Sequence, residues 1–449
     1  MDKMIKRGIG GDLFERYENE FDSNNAYRVA ANASVKNGIA NAAVNYEKLR
    51  KNDFNFSIEL KSGSITNQQS SGRCWIFAAL NTFRYELMKK NDIEDFELSQ
   101  NYLFFYDKLE KANYFLESVL KTLDEDVDGR VYSWISSMPL GDGGQWDMIV
   151  NLVNKYGICP KDAYPDSANS IASRGFTQVL TKMVREDGAK LRMAAKGGAR
   201  EEELRKMKED MLSEVYRVLV IALGKPPVKF DFVAYTKDKK LIQEFDITPK
   251  AFFDKYVGID INDYVSLINA PTDDKPYGKM YTVKLLGNVV EGQPVRYLNL
   301  PMDTIKDAVI EQLKDGHPVW FGSDCGQGSD RDSGIFDPET VDIAGMCGVK
   351  HWFTKKENLE YYESAMNHAM VILGVNLDKD GIPDKWKIEN SWGDKAGKNG
   401  YYTGSAKWFD DYVYQVVVNK KYLDSETVKL LDGELNELEP WDPMGTLAD

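Results

Sequence analysis

The chain has 449 residues and a mass of 51.0 kDa, enough for one large or two to three ordinary hydrophobic cores, which excludes a small disulfide-stapled module. Hydrophobic residues make up 43% and charged residues 29%, as in ordinary soluble globular proteins. The formal net charge of -14 repels polyanions and therefore argues against a dedicated nucleic-acid binder.

The cysteine pattern and the absence of long apolar runs bear on location. The four cysteines form no C-x-x-C pair and no cysteine/histidine zinc pattern, so we expect neither a disulfide framework nor a structural zinc site. The N-terminus lacks the apolar core of a secretory signal, and no apolar run approaches the roughly 18 residues that span a membrane. We therefore expect a cytoplasmic protein whose thiols stay reduced.

The first part of the chain predicts mainly helices. Residues 1–60 are polar and weakly periodic, and we expect them to wrap over the body. The segment 61–164 predicts a helical lobe, in which a Ser/Gly-rich turn leads into a helix that begins at Cys74 and carries apolar residues at helical spacing. Further helices are expected at about 98–122 and 144–156.

The pattern of charged and apolar residues changes in the middle of the chain. The segment 165–275 is rich in charge and carries an apolar stripe at helical spacing, which predicts a hook-like helical insertion with subunit contacts. In the segment 276–435, short apolar runs predict a β-rich lobe. Strands are expected at Tyr281–Leu285, Val319–Phe321, Ala369–Leu373, Trp386–Ile388 and Tyr414–Val418. A helix at about 302–315, capped by Asp303, should precede the second strand. Helices first and strands last indicate an α+β fold with a cleft between two lobes.

Four residues could form a site for nucleophilic catalysis. At a helix N-terminus, Cys74 should feel the positive end of the helix dipole, which lowers the pKa of a thiol. Gln68 precedes it closely and could offer an amide to an oxyanion. His368 opens a strand-like run, and Asn390 follows the next one, where its side-chain oxygen could orient the imidazole. His317 and His351 are the only other histidines, and they stand in a turn and at a surface position.

These blocks resemble a known family. Three short blocks are similar to the active-site blocks of papain-like cysteine peptidases, and they follow in the same chain order. They are Gln68…Gly72-Arg73-Cys74-Trp75, Asn367-His368-Ala369 and Asn390-Ser391-Trp392-Gly393. The interval between the cysteine and the histidine is roughly twice the usual 130–150 residues, and the insertion accounts for most of the excess. Three features resemble the bleomycin hydrolase and bacterial aminopeptidase C branch of that family. They are the long interval between cysteine and histidine, the run Gly143-Gly144-Gln145-Trp146 and the terminal segment Trp441–Ala448.

The resemblance implies a two-lobed papain-like fold and a homohexamer with active sites facing an inner chamber. It also implies that the C-terminal arm, residues 436–449, lies in the active-site cleft. There Ala448 and Asp449 would meet the substrate, a terminal carboxylate would face its α-amine, and Trp392 would shield the histidine and line the substrate site. Pro443 would stiffen the arm and Gly445 would permit a close backbone approach. No cofactor or metal is expected.

The sequence therefore predicts a cytoplasmic thiol aminopeptidase that acts on peptides with a free N-terminus and, by resemblance, on bleomycin-like amides. Two alternatives remain open. One is an amidase or acyltransferase that uses the same Cys–His–Asn arrangement on a non-peptide amide. The other is a ring-shaped nucleic-acid-binding protein, against which the net charge of -14 argues. No membrane partner is expected.

Overall fold

The structure, a computed structural model, describes residues 8–448 of the chain. The N-terminal segment is more helical than its weak periodicity predicted. Its elements are α1 (Gly11–Asp22), α2 (Asn25–Asn37), α3 (Ile39–Ala42), α4 (Tyr46–Lys51) and the short strand β1 (Ile58–Glu59). The side chains of Asn24 and Asn45 cap α2 and α4, which explains why these polar stretches form helices. Within these four helices no residue is fully buried, so they lie on the surface.

The helical lobe follows the prediction closely. Its helices are α5 (Cys74–Asn91), α6 (Gln100–Lys121), α7 (Arg130–Ser137) and α8 (Trp146–Tyr156). Every residue of α5 from Cys74 to Arg84 is buried, so this helix runs through the interior of the molecule. A helix buried on all sides is held in place by packing around its whole circumference, which fixes the position of its first residue.

The segment predicted as a helical insertion contains helices and a hairpin. Its elements are α9 (Ala168–Ile171), α10 (Ser173–Lys196), α11 (Glu201–Leu223), the antiparallel strands β2 (Phe230–Tyr235) and β3 (Leu241–Ile247), and α12 (Pro249–Phe252), which continues as a π-helical turn over Phe253–Val257. The hairpin was not predicted. Alternate residues of β2 are buried, and Phe230 and Phe232 pack edge-on against Phe252. This period-2 burial stabilises strands where the charge-rich sequence suggested helix.

The remaining elements build the second lobe around one twelve-stranded sheet. Its strands are β1, which pairs with β10, together with β4 (Tyr264–Ile268), β5 (Lys279–Val283), β6 (Tyr297–Asn299), β7 (Val319–Ser323), β8 (Ser329–Asp330), β9 (Ile335–Phe336), β10 (His368–Leu377), β11 (Pro383–Glu389), β12 (Tyr401–Ser405), β13 (Val413–Asn419) and β14 (Leu435–Leu438). The helices are α13 (Met302–Lys314), α14 (Ile343–Cys347), α15 (Lys355–Glu360), α16 (Ala406–Tyr412) and α17 (Ser425–Leu430). β4 belongs to the sheet, although its residues fall in the segment predicted as insertion.

Asp303 does not cap α13 as predicted. Pro301 occupies the N-cap position without a side-chain cap, and Asp303 lies in the first turn, 2.9 Å from the Nζ of Lys306. The proline ring has no oxygen that could accept from the first-turn N–H groups, and Asp303 instead places a negative charge near the positive end of the helix dipole.

Three neighbouring elements bring the predicted site together. β10 lies between the antiparallel strands β7 and β11, with His368 opposite Ser323 and Val371 opposite Glu389, and α5 packs against β10. The start of β10, the end of β11 and the start of α5 therefore meet in one region between the lobes. Within residues 8–448, no helix has the length and apolar content needed to cross a membrane.

Candidate active site

The predicted nucleophile, Cys74, is the first residue of α5 and is 5% exposed. Backbone N–H groups of Ala369 and Trp75 donate to its sulfur and favour the thiolate. Burial is the larger influence, however, and raises the pKa of the Cys74 thiol to about 11. The prediction that the helix N-terminus lowers this pKa is therefore wrong for the folded protein, because burial of the sulfur away from water outweighs the effect of the local N–H donors. Burial thus opposes the thiolate, and a base is needed to take the proton when the thiol attacks.

His368 and Asn390 form the expected pair. The Nε2 of His368 donates to the Oδ1 of Asn390 at 2.9 Å. The backbone N–H of Ser391 donates to the same Oδ1 at 2.7 Å, which identifies that atom as the oxygen and Nε2 as the protonated nitrogen. The other ring nitrogen is then free to accept a proton. The backbone of Ala369, the residue after His368, lies close enough to Cys74 to affect the pKa of its thiol, which places His368 and Cys74 in the same region of the molecule.

Burial also acts on the imidazole. His368 is 5% exposed, and its pKa is lowered to about 4, chiefly by burial, against the hydrogen bond to Asn390, which raises it. The positive charge of Arg331 lowers it further. Burial thus favours a neutral thiol beside a neutral imidazole, and a proton transfer between them would create both charges together.

Gln68 is held rigidly in the same region. It is 7% exposed, its Nε2 donates to the carbonyl of Ser71 at 2.7 Å, and its Oε1 accepts from the Oγ of Ser391 at 2.7 Å. The backbone N–H of Gln68 also donates to the carbonyl of Ser391 at 2.8 Å. An amide nitrogen carries two hydrogens, and within residues 8–448 only one of them has a partner. Ser391, which the sequence analysis left without a role, therefore links Gln68 to the loop that carries Asn390.

Trp392 covers the histidine, as predicted. Its ring stacks on the imidazole of His368 at 4.9 Å between centroids with an interplanar angle of 27°, and it meets Tyr402 edge-on at 5.8 Å. An aromatic cover excludes water from the His–Asn hydrogen bond, which strengthens that bond.

The C-terminal arm lies between the two lobes. From Pro443 to Ala448 it forms a 3-10 helical segment. The carbonyl of Leu447 accepts from the backbone N–H of Gly144 in the helical lobe at 2.9 Å. The hydroxyl of Thr446 donates to the carbonyl of Met366 in the β-rich lobe at 2.8 Å. Leu447 is only 3% exposed, so the arm is packed as part of the protein. Ala448 borders the same region, and Asp449 lies outside the described residues.

The close backbone approach predicted at Gly445 occurs at Gly143 instead. A Cβ on Gly445 would lie 3.5 Å from the nearest atom, a side-chain carbon of Val283, which is ordinary contact. A Cβ on Gly143 would lie 2.2 Å from the carbonyl oxygen of Leu447 and 3.0 Å from the backbone of Ala448. The narrow passage is therefore formed by the loop of the helical lobe.

Two buried lysines of α6 hold that loop. Lys108 donates from its Nζ to the carbonyl of Leu140 at 2.6 Å and to the Oδ1 of Asp142 at 2.7 Å. Lys111 donates to the carbonyls of Gly141 at 2.8 Å and Gly143 at 2.5 Å. Burial lowers the pKa of Lys108, while Lys108 holds the pKa of Asp142 well below its usual range. These lysines were not predicted, because Asp107 and Glu110 beside them give α6 a mixed charge pattern that is typical of an exposed helix face, although all four side chains are buried.

The other histidines lie elsewhere, whereas Cys325 is near the site, where its backbone N–H donates to the Oδ1 of Asn367 at 3.1 Å. The Nδ1 of His317 is 2.7 Å from the Oε1 of Glu86, and His351 is exposed. Cys159 and Cys325 are buried and Cys347 is exposed, all as free thiols. Within residues 8–448, no group of three or more His, Cys, Asp or Glu side chains is arranged to hold a metal ion.

Comparisons with known proteins agree with this geometry. The model of the Peptidase C1-like family matches residues 8–445. The chain is 47% identical to Aminopeptidase C of Streptococcus thermophilus over 440 residues, which cover 98% of this chain and 99% of that protein. It is 40% identical to Aminopeptidase G of Lactobacillus delbrueckii subsp. lactis over 94% of this chain and 96% of that protein. The crystal structure of PepW from Lactobacillus rhamnosis HN001 superposes with a TM-score of 0.96 at 46% identity, covering 98% of this chain and 99% of that chain.

Proposed function

This chain belongs to the Peptidase C1-like family and is a papain-like cysteine peptidase, and we propose that it acts as an aminopeptidase that releases residues one at a time from the free amino end of peptides. The observation that carries the proposal is the hydrogen bond from the N–H of Gly144 to the carbonyl of Leu447. It ties the C-terminal arm to the loop that also holds Trp75, the residue after the candidate nucleophile, since the Nε1 of Trp75 donates to the carbonyl of Asp142 at 2.7 Å. The names of the relatives, Aminopeptidase C and Aminopeptidase G, support the same activity.

In the proposed reaction, the free ring nitrogen of His368 takes the proton of the Cys74 thiol, and the thiolate attacks the first peptide carbonyl. The backbone N–H of Cys74 and the second N–H of Gln68 would bind the oxyanion that forms on the carbonyl oxygen. The imidazolium then returns its proton to the leaving amine, which departs and leaves an acyl thioester on Cys74. His368 next takes a proton from water, whose oxygen attacks the thioester and restores the thiol. Asn390 keeps the imidazole in the required tautomer through its 2.9 Å hydrogen bond.

The arm would decide where a peptide is cut. The hydrogen bonds of Leu447 to Gly144 and of Thr446 to Met366 support an arm that would fill this part of the cleft and leave room for one substrate residue before the scissile bond. We propose that Ala448 borders this residue and that a carboxylate of Asp449 pairs with its α-ammonium. A peptide that continued past this point would have to displace a buried segment, and this favours free amino ends over internal bonds.

The experiment is a timed digest of one defined ten-residue peptide, followed by mass spectrometry. We expect a ladder of products that shorten from the amino end, and no cleavage of the same peptide after N-acetylation. Cys74→Ala should retain the wild-type circular dichroism spectrum and lose turnover. Internal fragments from the free peptide, or equal rates on the acetylated peptide, would contradict the exopeptidase proposal, whereas turnover by Cys74→Ala would contradict the assigned nucleophile.

We also propose a homohexamer in the cytoplasm, with hydrolysis of bleomycin-like amides as a further activity. Large apolar side chains that are exposed in the single chain, such as Ile221 at 79% and Trp352 at 68%, support burial against other copies. Free cysteines throughout the described residues support a reducing compartment. Light scattering coupled to gel filtration tests the assembly, and a mass of about 51 kDa in solution would contradict it.

A further inference from the structure

An exposed arginine lies against the aromatic cover of the active site. The guanidinium carbon of Arg331 stands 4.7 Å from the ring centroid of Trp392, and the same ring stacks on His368 at 4.9 Å. Arg331 is exposed, and within residues 8–448 its guanidinium has no hydrogen bond and no ion pair with a carboxylate, although Asp330 and Asp332 are its sequence neighbours. An arginine that lies on an aromatic ring is held in position, yet its N–H edge stays available.

The contacts of Arg331 and Trp392 are separate from those of the C-terminal arm. In the last residues of the arm, Leu447 accepts a hydrogen bond from Gly144 and Thr446 donates one to Met366. Trp392 is bounded instead by Tyr402, by Arg331 and by Asn67, with which it forms an isolated β-bridge. If the arm side holds the amino end of the substrate, the part released as a free amine extends over Trp392.

The charge of Arg331 is felt at the imidazole, since it contributes, after burial, to the lowered pKa of His368. The released part of a dipeptide is a single amino acid, whose carboxylate follows its amine within one residue length, about 3.5 Å. A planar guanidinium binds a carboxylate through two parallel hydrogen bonds, a geometry that a neutral amide cannot reproduce with the same charge. Because Arg331 is separated from His368 only by the ring of Trp392, it offers a charged partner for the carboxylate of a short leaving group.

We propose that Arg331 is a specificity-determining residue that binds the α-carboxylate of the departing amino acid, so that dipeptides are preferred over their C-terminal amides. This inference rests on the proposed aminopeptidase function. It gives the enzyme a positive group for the carboxyl end of a short substrate, in addition to the arm at the amino end.

The test compares kcat/KM for one dipeptide and for its C-terminal amide, with the wild type, Arg331→Gln, Arg331→Lys and the control Lys398→Gln. Lys398 lies over the ring of Phe54 at 4.9 Å, so its replacement removes a similar stacked surface charge away from Trp392. We expect Arg331→Gln to reduce kcat/KM for the dipeptide about tenfold and that for the amide less than about twofold. Arg331→Lys should recover part of the preference, and Lys398→Gln should keep the wild-type ratio.

Two failures are distinguishable. If the wild type cleaves both substrates and Arg331→Gln leaves the acid-to-amide ratio unchanged, or lowers both rates equally, the role of Arg331 is refuted while the aminopeptidase proposal stands. If the wild type cleaves neither substrate, the proposed function itself fails. Raising the ionic strength should reduce the wild-type preference for the dipeptide and leave the ratio of Arg331→Gln unchanged, because only the former depends on an exposed charge pair.

Discussion

Replacing Gly143 by alanine should drive the C-terminal arm out of the cleft. The new Cβ would stand 2.2 Å from the carbonyl oxygen of Leu447, and real Cβ atoms do not approach other atoms so closely. The atoms it meets belong to the backbone, so no side chain can swing aside to relieve the overlap. Gly143 does not have a positive φ, so alanine fits the local backbone and the fold should persist.

The expected size of the effect follows from the contacts that the displaced arm loses. Breaking the 2.9 Å bond between Gly144 and Leu447 removes about 1 kcal/mol. Exposing the side chain of Leu447, which is 3% exposed in the docked arm, removes about 2 kcal/mol more. Together these shift the balance between docked and released arm by roughly 100-fold.

Two assays read out this shift. A carboxypeptidase should trim residues from the arm of Gly143→Ala roughly 100 times faster than from the wild type. The preference for a free-amine dipeptide amide over its N-acetylated form should fall by at least about tenfold, because the proposed partner of the amine leaves with the arm. Gly445→Ala is the matched control, since its Cβ would lie at an ordinary 3.5 Å from Val283. Trimming and selectivity equal to the wild type in Gly143→Ala would refute the reasoning.

Three further predictions concern the remaining parts of the site. Gln68→Ala should lower kcat about 100-fold, or about 3 kcal/mol, with little change in KM. Gln68→Glu keeps an acceptor for Ser391 but lacks the donor, so its kcat should fall by the same factor. A kcat near the wild-type value in either variant would exclude Gln68 from the oxyanion site. Burial lowers the pKa of His368 to about 4, so between about pH 6.5 and pH 4 the unfolded chain binds more protons than the folded chain. The free energy of unfolding should therefore decrease as the pH is lowered through this window, by up to roughly 3 kcal/mol. Urea unfolding at pH 6.5 and at pH 4 measures this decrease in the wild type and in His368→Gln. The same pH dependence of stability in both proteins would contradict the assignment of the effect to His368. Lys111→Met should lower the free energy of unfolding by about 3 kcal/mol, because Asp107, 3.0 Å from the Nζ of Lys111, would stay buried without its charge partner. Thermal unfolding measures this loss, with the exposed Lys182→Met as the control. Equal losses of stability in the two variants would contradict the prediction.

The parts of the site that the sequence predicted are those fixed by local pattern. Cys74 follows a turn and opens an apolar helix, while His368 and Asn390 adjoin two consecutive strands, and each of these is a short-range signal. Antiparallel pairing of β10 and β11 then brings His368 and Asn390 to one end of the sheet. The α+β class was predictable for the same reason, since helical and alternating periods occupy different halves of the chain.

The parts that were missed depend on contacts between distant segments. The narrow passage at Gly143 exists only because the arm, about 300 residues further along the chain, passes over it, and nothing near Gly143 in the sequence reveals this. The raised pKa of Cys74 likewise comes from burial under the second lobe, which a helix-dipole argument on the isolated helix does not include. The hairpin of β2 and β3 forms because Phe232 finds Phe252 and Tyr256, a tertiary effect that overrides a charge-rich local pattern.

The route of the arm has a practical consequence for handling the protein. β14 pairs in parallel with β5, and the chain then passes directly into the groove, where Leu447 is enclosed. If the arm lies in the substrate cleft as proposed, a polypeptide joined close to Ala448, such as an affinity tag, would start inside the groove and compete with substrate for the same space. Purification handles belong at the amino end, where α1 to α4 lie on the surface, and kinetic constants measured with a C-terminal tag would describe an obstructed enzyme.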